Sequence, residues 1–307
     1  MGQDRSGPQA HRHVRSRGTV GLHQLRAKPL AVQSDRQCHP KTALIRRIDP
    51  RGKYHPAVRL VVGLQIFHSG TEFPGGRNCM KPAALLSWSS GKDCAWALHL
   101  LRQRAEVEVV GLVTTYNESF QRVAMHGVRM ELVEAQAKAA RLPLWAIPLP
   151  WPCSNEVYEE RMRAVIERAH AEGIHAFAFG DLHLSDIREY RERQLAGSGL
   201  EPLFPVWGTP ADTPKLARSM IAEGVRATLT CVDPKQLAPE FVGREFDYSL
   251  LADLPPSTDS CGERGEFHTF CHAGPMFDHP ISVNVGERIE RDGFWFADLL
   301  PGPEARQ

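Results

Sequence analysis

The sequence predicts an α/β protein: a five-stranded parallel sheet with helices on both faces, followed by a smaller C-terminal α+β domain. Three observations lead there. Short apolar runs alternate with amphipathic segments from Ala83 to about Val232, the rhythm of strands joined by helical crossovers. The first apolar run ends in a Ser/Gly loop that opens directly onto a helix. After about Asp233 the alternation stops, and an irregular stretch with short strand-like runs takes over.

Ala83–Ser87 is the first strand. In Lys92–Arg104, Cys94, Ala97, Leu98 and Leu101 recur at helical spacing. Val107–Thr115 is a Val-rich strand. Gly127–Arg141 is a helix with Val128, Leu132 and Ala135 on one side, stopped by Pro143. Leu144–Pro148 is a strand. Ser154 is the expected N-cap of a helix running to about Glu172, with Gly173 just past its end. Ala176–Gly180 is a strand, Ser185–Ala196 a helix, and Pro202–Trp207 a short strand. Thr213–Ala222 (helix) and Ala227–Val232 (strand) continue the rhythm. Beyond it, Phe267–Cys271 and Ile281–Val285 read as short strands. The expected domains are 80–208 and 209–301.

The formal net charge of the 307 residues is +1, but it hides a split. Residues 1–79 carry 14 Lys+Arg against 4 Asp+Glu, a net of +10; the remainder carries 23 against 32, a net of −9. Apart from a short strand at Val58–Phe67, the basic segment shows no sustained periodicity, so no structure is assigned to it. It reads as a nucleic-acid-binding arm, as an Arg-rich transit peptide, or as sequence outside the working protein. The last is favoured, because a start at Met80 retains every patterned element. No run approaches membrane-spanning length, and no apolar signal-peptide core is present. Seven cysteines without a CxxC pair argue against a disulfide framework and a zinc ribbon, and place the chain in a reducing cytosol.

The loop Ser87-Trp88-Ser89-Ser90-Gly91-Lys92-Asp93 lies at the carboxyl end of the first strand, where open α/β sheets bind ligands. Small residues, a lysine and a helix N-terminus favour an anion. The P-loop of kinases and GTPases does not fit: Leu86 stands where its first glycine belongs, and Asp93 where its Ser/Thr belongs. Ser89-Ser90-Gly91-Lys92-Asp93-Cys94 instead resembles the SGGKDS motif of the PP-loop ATP pyrophosphatases, with Ser90 for a glycine and Cys94 for the final serine. Further stretches match one branch of that superfamily. These are GDLHLSDIREYRERQL at 180–195, PLFPVWG at 202–208, CVDPK at 231–235 and CGERGEFHTFCHAGPMF at 261–277. Over about residues 82–300 the chain resembles the diphthine–ammonia ligase family.

The resemblance implies a Rossmann-like (HUP) sheet and an ATP-dependent ligase. Such an enzyme adenylates a carboxylate, releases pyrophosphate and forms an amide with ammonia. By the same resemblance Ser87, Ser89, Ser90, Gly91, Lys92, Asp93 and Cys94 hold the ATP phosphates, with Mg2+ at Asp93 and Lys92 offsetting charge. Gly180 and Asp181, at a strand end, are expected beside the nucleotide; N-capping of the next helix is the alternative for Asp181. His126 is expected near the adenine or as a helix cap. Arg188 and Arg191, three apart on a helix, are expected to share a face and, with Glu192, to grip the substrate; the alternative is a solvated helix laced by pairs such as Glu189 with Arg193. Glu263, Glu266 and His268 are the expected catalytic groups that relieve ammonium of its proton, Glu266 and His268 lying on one strand face and Phe267 on the other.

The acceptor carboxylate is protein-bound diphthine or an unknown small molecule; the CGE-x-GEFHTF form resembles bacterial members, for which diphthine is excluded. A homodimer is carried as the assembly. Membrane partners are not expected, and nucleic acid is disfavoured by the acidic balance after Met80. An RNA-thiolating enzyme and a non-catalytic nucleotide sensor are the competing readings. The first would need reactive thiols, whereas the cysteines read as buried and inert.

Overall fold

The first sheet grows outward from β1 (Ala83–Ser87), whose Ala84, Leu85 and Leu86 have no exposed surface. The structure, a computed structural model, describes residues 81–303. The readings of residues 1–79, the Val58–Phe67 strand among them, lie outside the described residues. In chain order, β1 is followed by α1 (Lys92–Arg104), β2 (Glu108–Asn117), β3 (Arg122–Val123), α2 (Met130–Ala139), β4 (Leu144–Leu149), α3 (Asn155–Ala171), β5 (Ala176–Ala178), α4 (Ser185–Leu195) and β6 (Glu201–Leu203). Five of these strands run parallel in the order β4–β2–β1–β5–β6. β3 pairs antiparallel with the end of β2. Leu86 packs with the apolar faces of α1 and α2, and Leu85 with Met162 and Val165 of α3 and Leu195 of α4. Burial on both faces is what a parallel sheet requires. The fold is Rossmann-like, of the HUP type.

Local signals act where the residues suggest. The Ser154 hydroxyl accepts from the Val157 N–H at the start of α3, and Gly173 beyond its end has φ +70°. α2 starts later than its apolar spacing implies. Residues 124–128 instead form a turn closed by Val123 N–H to Val128 O at 2.9 Å, with Gly127 at φ +65°.

The rest of the chain adds α5 (Thr213–Ala222), β7 (Arg226–Val232), α6 (Tyr248–Asp253), β8 (Phe267–Ala273), β9 (Val283–Arg291) and β10 (Phe294–Pro301). They build a second, antiparallel sheet in the order β8–β7–β10–β9. β7 continues the strand–helix rhythm of the sequence but belongs to this second sheet, not to the five parallel strands. Its residues 227–232 are all buried, so its pattern looks like that of a parallel core strand, but its partners are β8 and β10. Val225, Leu229, Phe270 and Ala297 share one core with α1 and α2, so the second sheet lies against the α1/α2 side of the first. Among the described residues no helix is long and apolar enough to cross a membrane.

Candidate active site

The strand order reverses between β1 and β5, and the crevice between their carboxyl ends is the expected ligand position. It holds a cavity of about 210 Å³. Its walls come from the loop after β1 (Ser87, Ser89, Lys92, Asp93, Cys94) and the end of β5 (Phe179, Gly180, Asp181). His126, Arg191, Glu263 and the start of β8 (Phe267, His268, Thr269) complete it.

The end of β5 approaches the first turn of α1 so closely that one position must be glycine. A Cβ on Gly180 would lie 2.8 Å from the Cys94 amide nitrogen and 2.9 Å from its Cα. The loop itself is held from three sides. Ser90 adopts φ +71°, and its carbonyl accepts from the Cys271 N–H at 2.9 Å and from Gln136 Nε2 at 3.0 Å. Gln136, fully buried on α2, also donates to Cys271 O at 2.6 Å and accepts from Trp88 Nε1 at 2.8 Å. One amide thus ties the loop to α2 and β8. The Lys92 N–H donates to Thr269 Oγ1 at 3.1 Å.

The Lys92 ammonium is 1% exposed as a residue and fully engaged. It donates to both Asp93 oxygens at 3.1 and 3.0 Å and to Cys261 O at 2.5 Å. It also lies 5.2 Å from the Phe246 ring centroid and 5.3 Å from that of Phe267. Burial alone would lower its pKa; the Asp93 carboxylate and further acidic neighbours outweigh that and hold it above the ordinary lysine value. Its three protons already meet three acceptors.

Glu263 Oε1 accepts from the Leu182 N–H at 2.8 Å. Burial, reinforced by the nearby Asp93 carboxylate, pushes its carboxyl up to about 8. Asp181 is raised by burial against the pull of Arg191, whose Nε lies 3.5 Å from Asp181 Oδ2. At that distance neither atom makes a hydrogen bond. Asp181 does not cap α4, whose N-cap is Leu184.

His126 sits in the turn before α2 and caps no helix; the residue at the N-cap is Arg129. Its Nδ1 lies 3.0 Å from Thr269 O, so that nitrogen carries the proton and Nε2 keeps its lone pair. Burial lowers its pKa to about 4. The His268 ring packs against it, tilted by 36° with centroids 4.7 Å apart, and burial lowers His268 well below the ordinary imidazole value as well.

The expected site residues therefore separate. Ser87, Ser89, Lys92, Asp93, Cys94, Gly180, Asp181, Arg191, Glu263 and His268 line the cavity. Ser90 and Gly91 shape the loop from behind; the Ser90 hydroxyl is buried without a hydrogen-bond partner. Glu266 does not join the catalytic groups. It precedes β8, and its carboxylate turns into its own loop, accepting from the Asp259 N–H at 2.8 Å and the Arg264 N–H at 2.9 Å. Arg188 and Arg191 are not brought together at the cavity. The Arg188 guanidinium stacks on Phe204 and Trp207 at 4.6 and 4.8 Å and pairs with Glu192 at 2.8 Å, outside the cavity. The Glu189–Arg193 pair forms on the surface at 3.7 Å. Burial raises the thiols of Cys94 to about 11 and Cys231 to about 12, and those of Cys261 and Cys271 further.

Fold and site together define a Rossmann-like α/β protein with a Ser/Gly/Lys loop at its first strand–helix junction, closed over by a second, antiparallel sheet. The model of the diphthamide synthase N-terminal domain matches residues 80–202, and that of the diphthamide synthase C-terminal domain matches residues 212–299. The chain belongs to the diphthamide synthase family. It is similar to the diphthine–ammonia ligase of Bos taurus, with 27% identity over 250 residues, 72% of this chain and 89% of the relative. The Homo sapiens enzyme of the same name is 26% identical over the same shares. The Rattus norvegicus one is 28% identical over 146 residues, 46% of this chain and 52% of the relative.

Proposed function

We propose that the protein is an ATP-dependent ligase of the diphthine–ammonia ligase type. A carboxylate oxygen attacks the α-phosphorus of ATP, the bond to pyrophosphate breaks, and an acyl-adenylate forms. Ammonia then attacks the acyl carbon, AMP leaves, and the nitrogen gives up a proton. The observation that carries this reading is one small cavity at the switch point lined by a charged lysine, an arginine ion-paired with Asp181 and a carboxyl raised to about 8. The relatives' name supports ammonia as nitrogen donor and diphthine as the acceptor class.

Lys92 and the hydroxyls of Ser87 and Ser89 take the phosphates at the N-terminus of α1, Lys92 releasing Cys261 O or Asp93 to do so. Arg191 takes the acceptor carboxylate. Glu263, once ionised, takes the proton from ammonium. The imidazole of His268 is too weak a base for that step, and with His126 it forms a neutral wall instead. The donor set fits Mg2+: Asp93 and Asp181 offer hard oxygen ligands, and the Asp181 Oδ2 atom is buried without a hydrogen bond, 3.5 Å from Arg191 Nε. Among the described residues no group of three His, Cys, Asp or Glu ligands stands together, so the ion would be held by one or two carboxylates and by phosphate oxygens. When bound, Mg2+ would neutralise charge on the leaving pyrophosphate.

The test is product analysis with labelled ATP, ammonium and a panel of carboxylates, diphthine-bearing protein included. AMP, pyrophosphate and an amide, all lost in Lys92→Ala, are expected. ADP and phosphate would refute adenylation, and tight ATP binding without products under every acceptor would favour a sensor.

A further inference from the structure

We propose that Asp298, on β10, is a positioning residue for this site: its carboxylate holds the 122–129 segment so that His126 forms the cavity wall against Gly91 and Thr269. The inference rests on the ligase reading for its consequence but not for its geometry.

The segment is fastened at both ends to that one carboxylate. Arg129, at the N-cap of α2, donates Nε to Asp298 Oδ1 at 3.0 Å and an Nη to Oδ2 at 2.7 Å. Arg122, on β3, donates to Asp298 Oδ1 at 2.8 Å, and the same Nη1 donates to Gly127 O at 2.7 Å. Between these anchors Gly127, at φ +65°, packs on the Phe296 ring of the same strand; a Cβ there would lie 3.0 Å from the ring. What projects from the fastened turn is the His126 ring, whose Cε1 would be 3.1 Å from a Cβ on Gly91 and whose Nδ1–H reaches Thr269 O.

Bidentate arginine–carboxylate pairs fix direction as well as distance. Removing the carboxylate leaves two guanidinium groups facing each other and frees Arg122 to swing, taking the Gly127 carbonyl with it. The charged or titratable groups facing His126 are Lys92 and His268. Neither touches Asp298, so a change at His126 on mutating Asp298 travels through the turn.

The test uses the full chain without ligands. Histidine side chains are followed by nitrogen NMR during a pH titration. In the parent protein His126 is expected to titrate near 4, lowered first by burial. In Asp298→Ala it is expected to move toward the ordinary imidazole range of about 6.5, while Asp298→Glu keeps it low. Should Asp298→Ala not fold, Asp298→Asn keeps the shape and removes the charge, and the same shift is expected. An unchanged His126 titration in a folded Asp298→Ala or Asp298→Asn protein would overturn the proposal, whatever the enzyme's activity. A second arm reads turnover: in a His126→Ala background Asp298→Ala should cost little more, whereas additive losses would mark a purely structural role. If no ligase activity exists, the titration alone decides.

Discussion

Gly180→Ala adds one methyl group at the point where the two halves of the crevice meet. The added Cβ would stand 2.8 Å from the Cys94 amide nitrogen, 2.9 Å from Cys94 Cα and 3.1 Å from the Asp93 carbonyl carbon. All three are backbone atoms in the first turn of α1, so no side chain can rotate away. Restoring ordinary contact near 3.4 Å requires a separation of about 0.6 Å between the end of β5 and the start of α1. That shift falls on Lys92 and Asp93. Overpacking of this kind costs ~1–3 kcal/mol, so the protein stays folded with a lowered melting temperature. The consequence for chemistry is larger, since a displacement approaching 1 Å between reacting groups costs up to about 10²-fold. The assay is pyrophosphate release under saturating ATP, with thermal unfolding measured on the same sample. Expected are a modest loss of stability and a fall in turnover on the order of 10- to 100-fold. Parent-like turnover and melting temperature would refute the claim that this contact sets the loop, because the methyl group would have fitted without moving it.

The remaining predictions concern charge. With its carboxyl raised to about 8, Glu263 is protonated in the folded protein and ionised in the unfolded chain between about 4.5 and 8. Its stabilising contribution is therefore complete below about 4.5 and lost as pH rises through 8, while ligase turnover rises over the upper part of that window. Glu263→Gln should flatten both trends together, and an alkaline rise in turnover that survives the substitution would exclude Glu263 as the base. Arg191→Ala leaves Asp181 partly buried without its cation; turnover should fall on the order of 10²-fold, with a raised KM for the acceptor. Arg188→Ala, removed from the cavity, should change turnover by less than about threefold. Equal losses in the two variants would show that they act as a pair after all.

Much of the fold is legible in the chain because its signals are local. Gly173 and Ser154 bracket α3 by cap chemistry alone, and the apolar runs of β1, β2, β4 and β5 read as parallel strands because both their faces are covered. The β9–β10 hairpin carries a readable signal that apolar patterning misses. Asp292-Gly293, both at positive φ (51° and 80°), is a two-residue turn of the kind that joins antiparallel strands, but beyond Val285 β9 is too polar to register as a strand. β7 is the opposite case: its burial on both faces conceals its antiparallel pairing.

The site divides along the same line. The cavity residues of the loop after β1 and at the end of β5 follow from motif and topology. Glu266 and His268 look equivalent by period-two spacing, but the strand begins only at Phe267, so the alternation does not reach back to Glu266. Arg188 and Arg191 look equivalent by helical spacing, but the rings of Phe204 and Trp207 claim one and Asp181 the other. Gln136 and Asp298 carry no local signal at all. A glutamine inside an amphipathic helix and an aspartate on an edge-proximal strand are ordinary residues until the fold brings Ser90 to the first and Arg122 and Arg129 to the second. Each restrains one wall of a cavity whose other residues the motifs announce. Their substitutions should therefore disturb the geometry of the loop and of His126 without removing any group that touches substrate.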